Sequence, residues 1–529
     1  MSTWDEDWEQ SEEQGTQRIR KQVERILDEG SGERRQVIVR LQAPADVKRS
    51  LISLAADAIQ QRTLALTARD VLPPARDPDA FPPFGRRSSS QRQTLVDRKR
   101  SLTAQASARS IDVETRGELK SDGLDRIAPF VQSTLFQQWV HGSATAAKRK
   151  ANDTFQTFWT SKSVLLELSE TDLASLSTVP LVRDVYPNRT LRSPRLVAVS
   201  NLPTSVLEVK SSSWGVHQIG ALAVWGAYGV RGEGVTVGLL DTGIDASHPD
   251  LKGKVDKWAE FDESGNRVKG SKPYDSDKHG THCGGTIVGG RESGAWVGVA
   301  PESKLKVALV LHGERGGTDA QVLAGLDWLC EEGVDVISMS LGGLTLDHET
   351  PSTYTEAILT CLRAGIPVVT AIGNDGGQTT GSPGNDVFAY AVGATDYRDK
   401  PAGFSGGRTH VIRASNFIPP EHLPMPYSKP DVSAPGVAIN SSVPGGKWAA
   451  YSGTSTAAPH VAGAIALLLS ATNIKNVVPS SRRAFLLQDL ISGSAEELGE
   501  CGADHRFGFG RIDVLRAIGF AVERGYGLP

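Results

Sequence analysis

The 529 residues are 39% hydrophobic and 22% charged, enough apolar mass for a sizeable core and a length that suits roughly two to four domains. A net charge of −4 and a pI near 6.3 give no global attraction to nucleic acid or to an anionic membrane surface. No apolar run approaches the ~20 residues of a membrane helix, and the acidic start lacks the basic-then-apolar layout of a secretory signal. Four cysteines (Cys283, Cys330, Cys361, Cys501) form neither a disulfide framework nor a zinc spacing. A cytoplasmic chain with free thiols follows as the expectation, with neither nucleic acid nor membrane as partner.

Residues 1–13 carry six acids and read as part of a solvated arm over 1–35. "RQVIVRLQAP" reads as a strand. "KRSLISLAADAIQQRTLALTA" reads as an amphipathic helix, with Leu51, Ala55, Ile59 and Leu66 near helical spacing. From Val71 to Arg100 the density of Pro, Arg and Ser predicts a linker. Further on, Val164–Leu168 is a strand, Ser169 and Asp172 stand in capping-box spacing, and Val182–Tyr186 is a second strand. Together these predict a small α+β domain over 36–205. From 206 to 529, apolar runs bounded by glycine alternate with helical stretches: "GVTVGLLDTG", "LKVALVL", "VDVISMSLGG", "IPVVTAIGN". Strands apolar on both faces and separated by helices predict an α/β domain built on a parallel sheet.

Ligands of such sheets sit beyond the strands' carboxyl ends. Those ends carry Asp241, Ser340 to Gly343 and Asn374, while "DSDKHGTHCGGT" puts His279 where a helix begins. Ser455, in "YSGTSTAAPH", opens the next apolar helix. Alone it is a helix cap or a nucleophile at a helix N-terminus. With an imidazole, a carboxylate and an amide elsewhere in the chain, the parts for acyl transfer are present. His279 and His282 as a metal pair is the competing reading, without a third ligand at zincin spacing. "GFSGG" around Ser405 matches G-x-S-x-G but lacks the following helix a nucleophile elbow needs, so Ser405 reads as a surface-loop residue.

The segments "LLDTGID", "HGTHCGGT", "SLGG" and "GTSTAAPH", in the chain order Asp, His, Ser, resemble those of subtilisin-like serine proteases. "GFGRIDVLRA" is similar to the family's closing helix. The cysteine after "HGTH" is most similar to the proteinase K branch, and Thr456 departs from the methionine most common after the nucleophile. The resemblance implies a subtilisin-like parallel sheet flanked by helices, preceded by a propeptide-like inhibitory domain. It implies a serine endopeptidase in which Asp241 orients His279, His279 deprotonates Ser455, and Asn374 holds the oxyanion. It also implies cleft edges of Ser340, Leu341, Gly342 and Gly343 on one side and Arg315, Gly316 and Gly317 on the other, with Gly381 flooring the specificity pocket. Substrates would be proteins or peptides, and the chain's own N-terminal domain would act as intramolecular inhibitor. No cofactor is required for the chemistry; Asp250 matches a position that binds calcium in many relatives, and Glu292 could add a second oxygen. Cys283 reads as a buried thiol beside the histidine.

Overall fold

The computed structural model describes residues 3–28, 34–42, 93–141, 155–192, 197–198, 211–345, 352–413 and 422–527. The amphipathic helix expected at 48–68 lies outside them, as do the 71–92 part of the expected linker and most of the stretch joining the two domains.

The N-terminal part runs α1 (Thr3–Asp28), β1 (Arg34–Leu41), α2 (Gln93–Val131), β2 (Phe155–Phe158), β3 (Ser163–Ser169) and β4 (Val182–Pro187), followed by the short β5 (Thr190–Leu191) and β6 (Val197–Ala198). The first four strands form an antiparallel sheet in the order β2-β3-β1-β4. Alternation along β1 and β3 explains why both faces are apolar. Val37, Val39, Val164 and Leu166 pack with Ile19, Val23, Ile26 and Phe130 of the helices above. Ile38 and Leu165, pointing the other way, join a core shared with the C-terminal domain. Asp172 N–H donates to Ser169 Oγ, 3.2 Å, as the capping spacing predicts.

Two expectations are corrected. The acidic start is helical from Thr3, because Ile19, Val23 and Ile26 anchor α1 on the sheet and an anchored helix propagates at little cost. The linker expected to reach Arg100 gives way to helix at Gln93, since no proline interrupts the chain from there to Pro129.

The C-terminal domain runs β7 (Thr236–Asp241), β8 (Val255–Glu260), α3 (His279–Val288), β9 (Lys304–Leu309), β10 (Gly317–Thr318), α4 (Asp319–Glu331), β11 (Val336–Met339) and β12 (Gly343–Leu344). It continues with α5 (Thr355–Arg363), β13 (Val368–Ala371), β14 (Gly381–Ser382), β15 (Tyr390–Thr395), β16 (Val432–Pro435), β17 (Lys447–Ser452), α6 (Thr454–Ala471) and α7 (Ser480–Gly493). Seven strands form one parallel sheet, β16-β15-β13-β11-β7-β9-β8. Helices α3 and α6 cover one face with Cys283, Ile287, Val461 and Ile465, and α4 and α5 cover the other with Leu323, Leu326, Ile358 and Leu362. Among the described residues α6 is the one helix long and apolar enough to cross a membrane, and it is wholly buried in this core.

The two domains meet on α4 and α5. Trp159 and Thr160, just after β2, donate their N–H groups to the Asp327 carboxylate at 2.9 and 3.0 Å. Lys162 Nζ donates to Thr360 Oγ1, 2.6 Å, and lies 3.3 Å from Glu356. Farther along, both guanidinium nitrogens of Arg483 (α7) reach the Asp112 carboxylate (α2) at 2.8 and 2.5 Å.

Candidate active site

Asp241 is the last residue of β7, His279 the first of α3, and Ser455 the second of α6. Each is therefore placed by an element end that the packed sheet holds still. His279 Nδ1 lies 2.6 Å from Asp241 Oδ1, which also accepts the Thr242 N–H at 2.7 Å. Burial on its own would lower the His279 pKa, but the Asp241 carboxylate outweighs it and holds the imidazole well above its ordinary value.

Helix α6 contains Pro459, which has no N–H to give to the carbonyl four residues earlier. That carbonyl belongs to Ser455, and it is taken instead by Ser340 Oγ at 2.9 Å and by Cys283 Sγ at 3.4 Å. Sequence positions far apart thus converge on the backbone of one serine. Cys283 also lies 3.8 Å from His279 Nδ1, and burial pushes its thiol pKa up to about 11, so it stays protonated at neutral pH.

Asn374 follows the β13 end. Its Oδ1 accepts from Thr454 N and Thr454 Oγ1, at 2.8 and 2.9 Å, which turns its NH₂ the other way. A Cβ built on Gly453 would stand 2.8 Å from Ser455 Oγ and 3.2 Å from Asn374 Nδ2, so those two atoms face one spot that only glycine leaves open. Ser455 Oγ, His279 Nε2 and Asn374 Nδ2 are all buried without a hydrogen-bond partner. Unpaired buried polar atoms are costly, and two of these facing one spot mark a place prepared for a polar ligand. Thr454, which aims the amide, was within the quoted motif but not singled out; its signal was its place next to the serine.

The expected cleft edges carry chain. Leu191 pairs with Gly317 and Thr190 with Thr318, antiparallel, while Gly342 N–H donates to the Arg192 carbonyl at 3.2 Å. Gly316 adopts φ +75°, and a Cβ there would come 2.0 Å from the Leu191 carbonyl oxygen, so glycine is needed twice over. Farther along, β6 pairs with β17, the strand that leads into α6 and Ser455, Val197 opposite Ser452 and Ala198 opposite Tyr451. Gly343 pairs with Ser382 and Leu344 with Gly381. The Leu341 side chain is buried in the core, so it offers this edge only its backbone, and the Arg315 side chain is exposed.

Other readings separate here. His282 Nε2 donates to the Ile439 carbonyl, 2.9 Å, and burial lowers its pKa to about 3; it is a neutral core histidine. Asp241, His279 and Cys283 put ligand-type atoms within 4.8 Å of one another, but the histidine nitrogen is already bonded to Asp241 and the thiol is protonated, which does not suit a metal. Asp250 Oδ1 accepts the Glu292 N–H at 2.7 Å and Oδ2 accepts Trp448 Nε1 at 2.5 Å. Both oxygens are spent on protein donors, an arrangement that does not fit the six to eight free oxygens calcium takes. Ser405 is buried rather than on the surface. Its Oγ accepts the Ala394 N–H, 3.1 Å, and strand Arg408–Ile412 follows it, not a helix. Thr456 hydrogen-bonds the Gly453 carbonyl, 2.8 Å, in place of the apolar contact a methionine would make.

Comparison with known proteins identifies the family of the C-terminal domain. Residues 232–510 match the model of the subtilase family, Peptidase S8. The chain is 37% identical over 266 residues to a subtilisin of Bacillus pumilus, spanning 49% of this chain and 86% of that one. It is 37% identical over 265 residues to an intracellular serine protease of Paenibacillus polymyxa (49% and 73%). It is 34% identical over 275 residues to the major intracellular serine protease of Bacillus subtilis strain 168 (50% and 77%).

Proposed function

The chain belongs to the subtilase family and is a serine-type endopeptidase, and from that premise we propose that Asp241, His279 and Ser455 form its catalytic triad and that the enzyme is made as a self-cleaving zymogen. In this reading Ser455 Oγ attacks the scissile carbonyl carbon while His279 Nε2 takes its proton. The charge that develops on the carbonyl oxygen is met by Asn374 Nδ2 and the Ser455 N–H. Collapse of the tetrahedral intermediate expels the amine, which receives the proton from His279, and leaves an acyl-serine. Water, deprotonated by the same imidazole, then releases the acid. Asp241 keeps the ring oriented and stabilises its charged form. No step passes through a metal.

The observation that carries the zymogen reading is the track of the N-terminal segment. Residues 190–192 pair with both expected cleft edges, and 197–198 pair with β17, the strand that leads into Ser455. A strand added across a cleft in this way binds as a substrate does, so the N-terminal domain blocks the enzyme and is its first substrate. Cleavage then falls between Arg192 and Val197, where Leu196 is the apolar residue to suit an open pocket above Gly381.

The relatives named as intracellular proteases support an intracellular site of action. A narrow regulatory protease that cuts one partner is the second reading, favoured by an N-terminal domain bound through buried charge as well as through the cleft. Purified wild-type protein should appear as two fragments and Ser455→Ala as one chain of 56.5 kDa. Casein and a mixed cell extract incubated with the wild type separate broad from narrow cutting. Retained hydrolysis by Ser455→Ala would sink the triad.

A further inference from the structure

The cleft edge does not stop at β10. It runs directly into α4, whose first residue, Asp319, has a side chain with no exposed surface. One carboxylate oxygen, Oδ1, accepts the Tyr354 hydroxyl, itself buried. The other, Oδ2, accepts from the Arg189 N–H at 3.1 Å and from Arg189 Nε at 3.0 Å, and the Arg189 guanidinium also reaches Thr353 Oγ1 at 3.3 Å. The Asp319 N–H donates back to the Arg189 carbonyl, 3.0 Å. Both donors to Oδ2 thus come from one residue of the segment that lies in the cleft. When that segment leaves, the C-terminal domain keeps a carboxylate anchored on one oxygen by Tyr354 and lacking those donors on the other, at the end of the strand track.

We propose that Asp319, with Tyr354 and Thr353, forms a subsite for a basic side chain, arginine best, two residues upstream of the substrate residue that pairs with Gly317. The inference rests on the reading of residues 189–192 as occupying the substrate track. Arginine suits the site because its planar guanidinium reaches Asp319 and Thr353 together, whereas an ammonium offers a single point of charge. The preference is set by position rather than by net charge: Thr190 and Leu191 hold the register on β10, and the next residue back falls on Asp319.

The test uses the wild-type chain after self-processing and internally quenched peptides carrying residues 185–200, with residue 189 as Arg, Lys, Gln or Glu. The Arg peptide should exceed the Gln peptide in kcat/KM by about 10-fold, the size expected when a charged hydrogen-bonded partner is lost, with Lys between them and Glu lowest. Asp319→Asn should bring the Arg-to-Gln ratio close to one, and Tyr354→Phe should reduce it. Equal cutting of the Arg and Gln peptides by the wild type overturns the subsite without need of any variant. A ratio unchanged in Asp319→Asn overturns it as well. If no peptide is cut and casein also stays intact, it is the endopeptidase reading beneath it that fails.

Discussion

His279 Nδ1 and Asp241 Oδ1 stand 2.6 Å apart with both side chains buried, so the two are one electrostatic unit. The carboxylate raises the imidazole's affinity for a proton. General-base action needs the neutral ring, so activity is present above the His279 pKa and is lost as pH falls through it. The acid limb of kcat/KM should therefore have its midpoint above the ordinary histidine value of about 6.5. Asp241→Asn should move that limb downward and lower kcat by about 10⁴-fold, the loss known when a triad carboxylate becomes an amide. A pH–rate profile of both proteins checks this, and an unmoved limb would break the assignment.

Asn374 is aimed by Thr454, not by its own backbone. Asn374→Ala should reduce kcat by about 10²–10³-fold with KM little changed, since the lost hydrogen bond forms only as charge develops. Thr454→Ala should reduce kcat less, because it loosens the amide without removing it. Steady-state kinetics with one peptide decides; a change confined to KM would make Asn374 a ground-state contact.

Among the four cysteines, Cys501 is exposed and the other three are buried. Mercurials should label Cys501 at once with activity intact, then inactivate the enzyme slowly as Cys283 opens to the reagent beside His279. Cys283→Ala should keep activity and resist the slow phase. Mass spectrometry along the inactivation time course checks which thiol carries the adduct, and the same slow loss in Cys283→Ala would point to Cys330 or Cys361.

Asp327, buried under the N-terminal domain, has its pKa pushed up to about 7 by that burial, against the hydrogen bonds from Trp159 and Thr160 that favour its charged form. With the domains apart its pKa falls back toward the ordinary carboxylate range. The docked form therefore binds a proton that the separated form releases. The sign follows: docking is strongest below pH about 4 on this account and weakens as pH rises through about 7. In cleaved protein, the share of N-terminal fragment co-eluting with the C-terminal domain should fall between pH 5 and 8, and Asp327→Asn should flatten that fall. Retention that rises with pH would contradict the linkage.

The residues of the candidate site were legible because each sits where local rules put it. Asp241 ends an apolar strand, Ser340 and Asn374 follow closely after theirs, and His279 and Ser455 stand in the first turns of helices, so periodicity and motif order suffice to find them. The parallel sheet was legible for the same reason, strands apolar on both faces being readable from the chain alone. What the sequence by itself could not determine depends on contacts between residues distant along the chain. Nothing near Ser455 says that the carbonyl freed by Pro459 is taken up by Ser340 and Cys283. The helicity of the acidic arm was hidden because its anchor is a sheet formed later in the chain. Nothing local to Asp319 says that folding lays Arg189 and Tyr354 against it and buries its carboxylate. Local sequence sets which elements form and which groups stand at their ends. The burial that decides pairing, proton affinity and register belongs to the tertiary structure, because it is the sum of neighbours that the chain brings together only when it closes on itself.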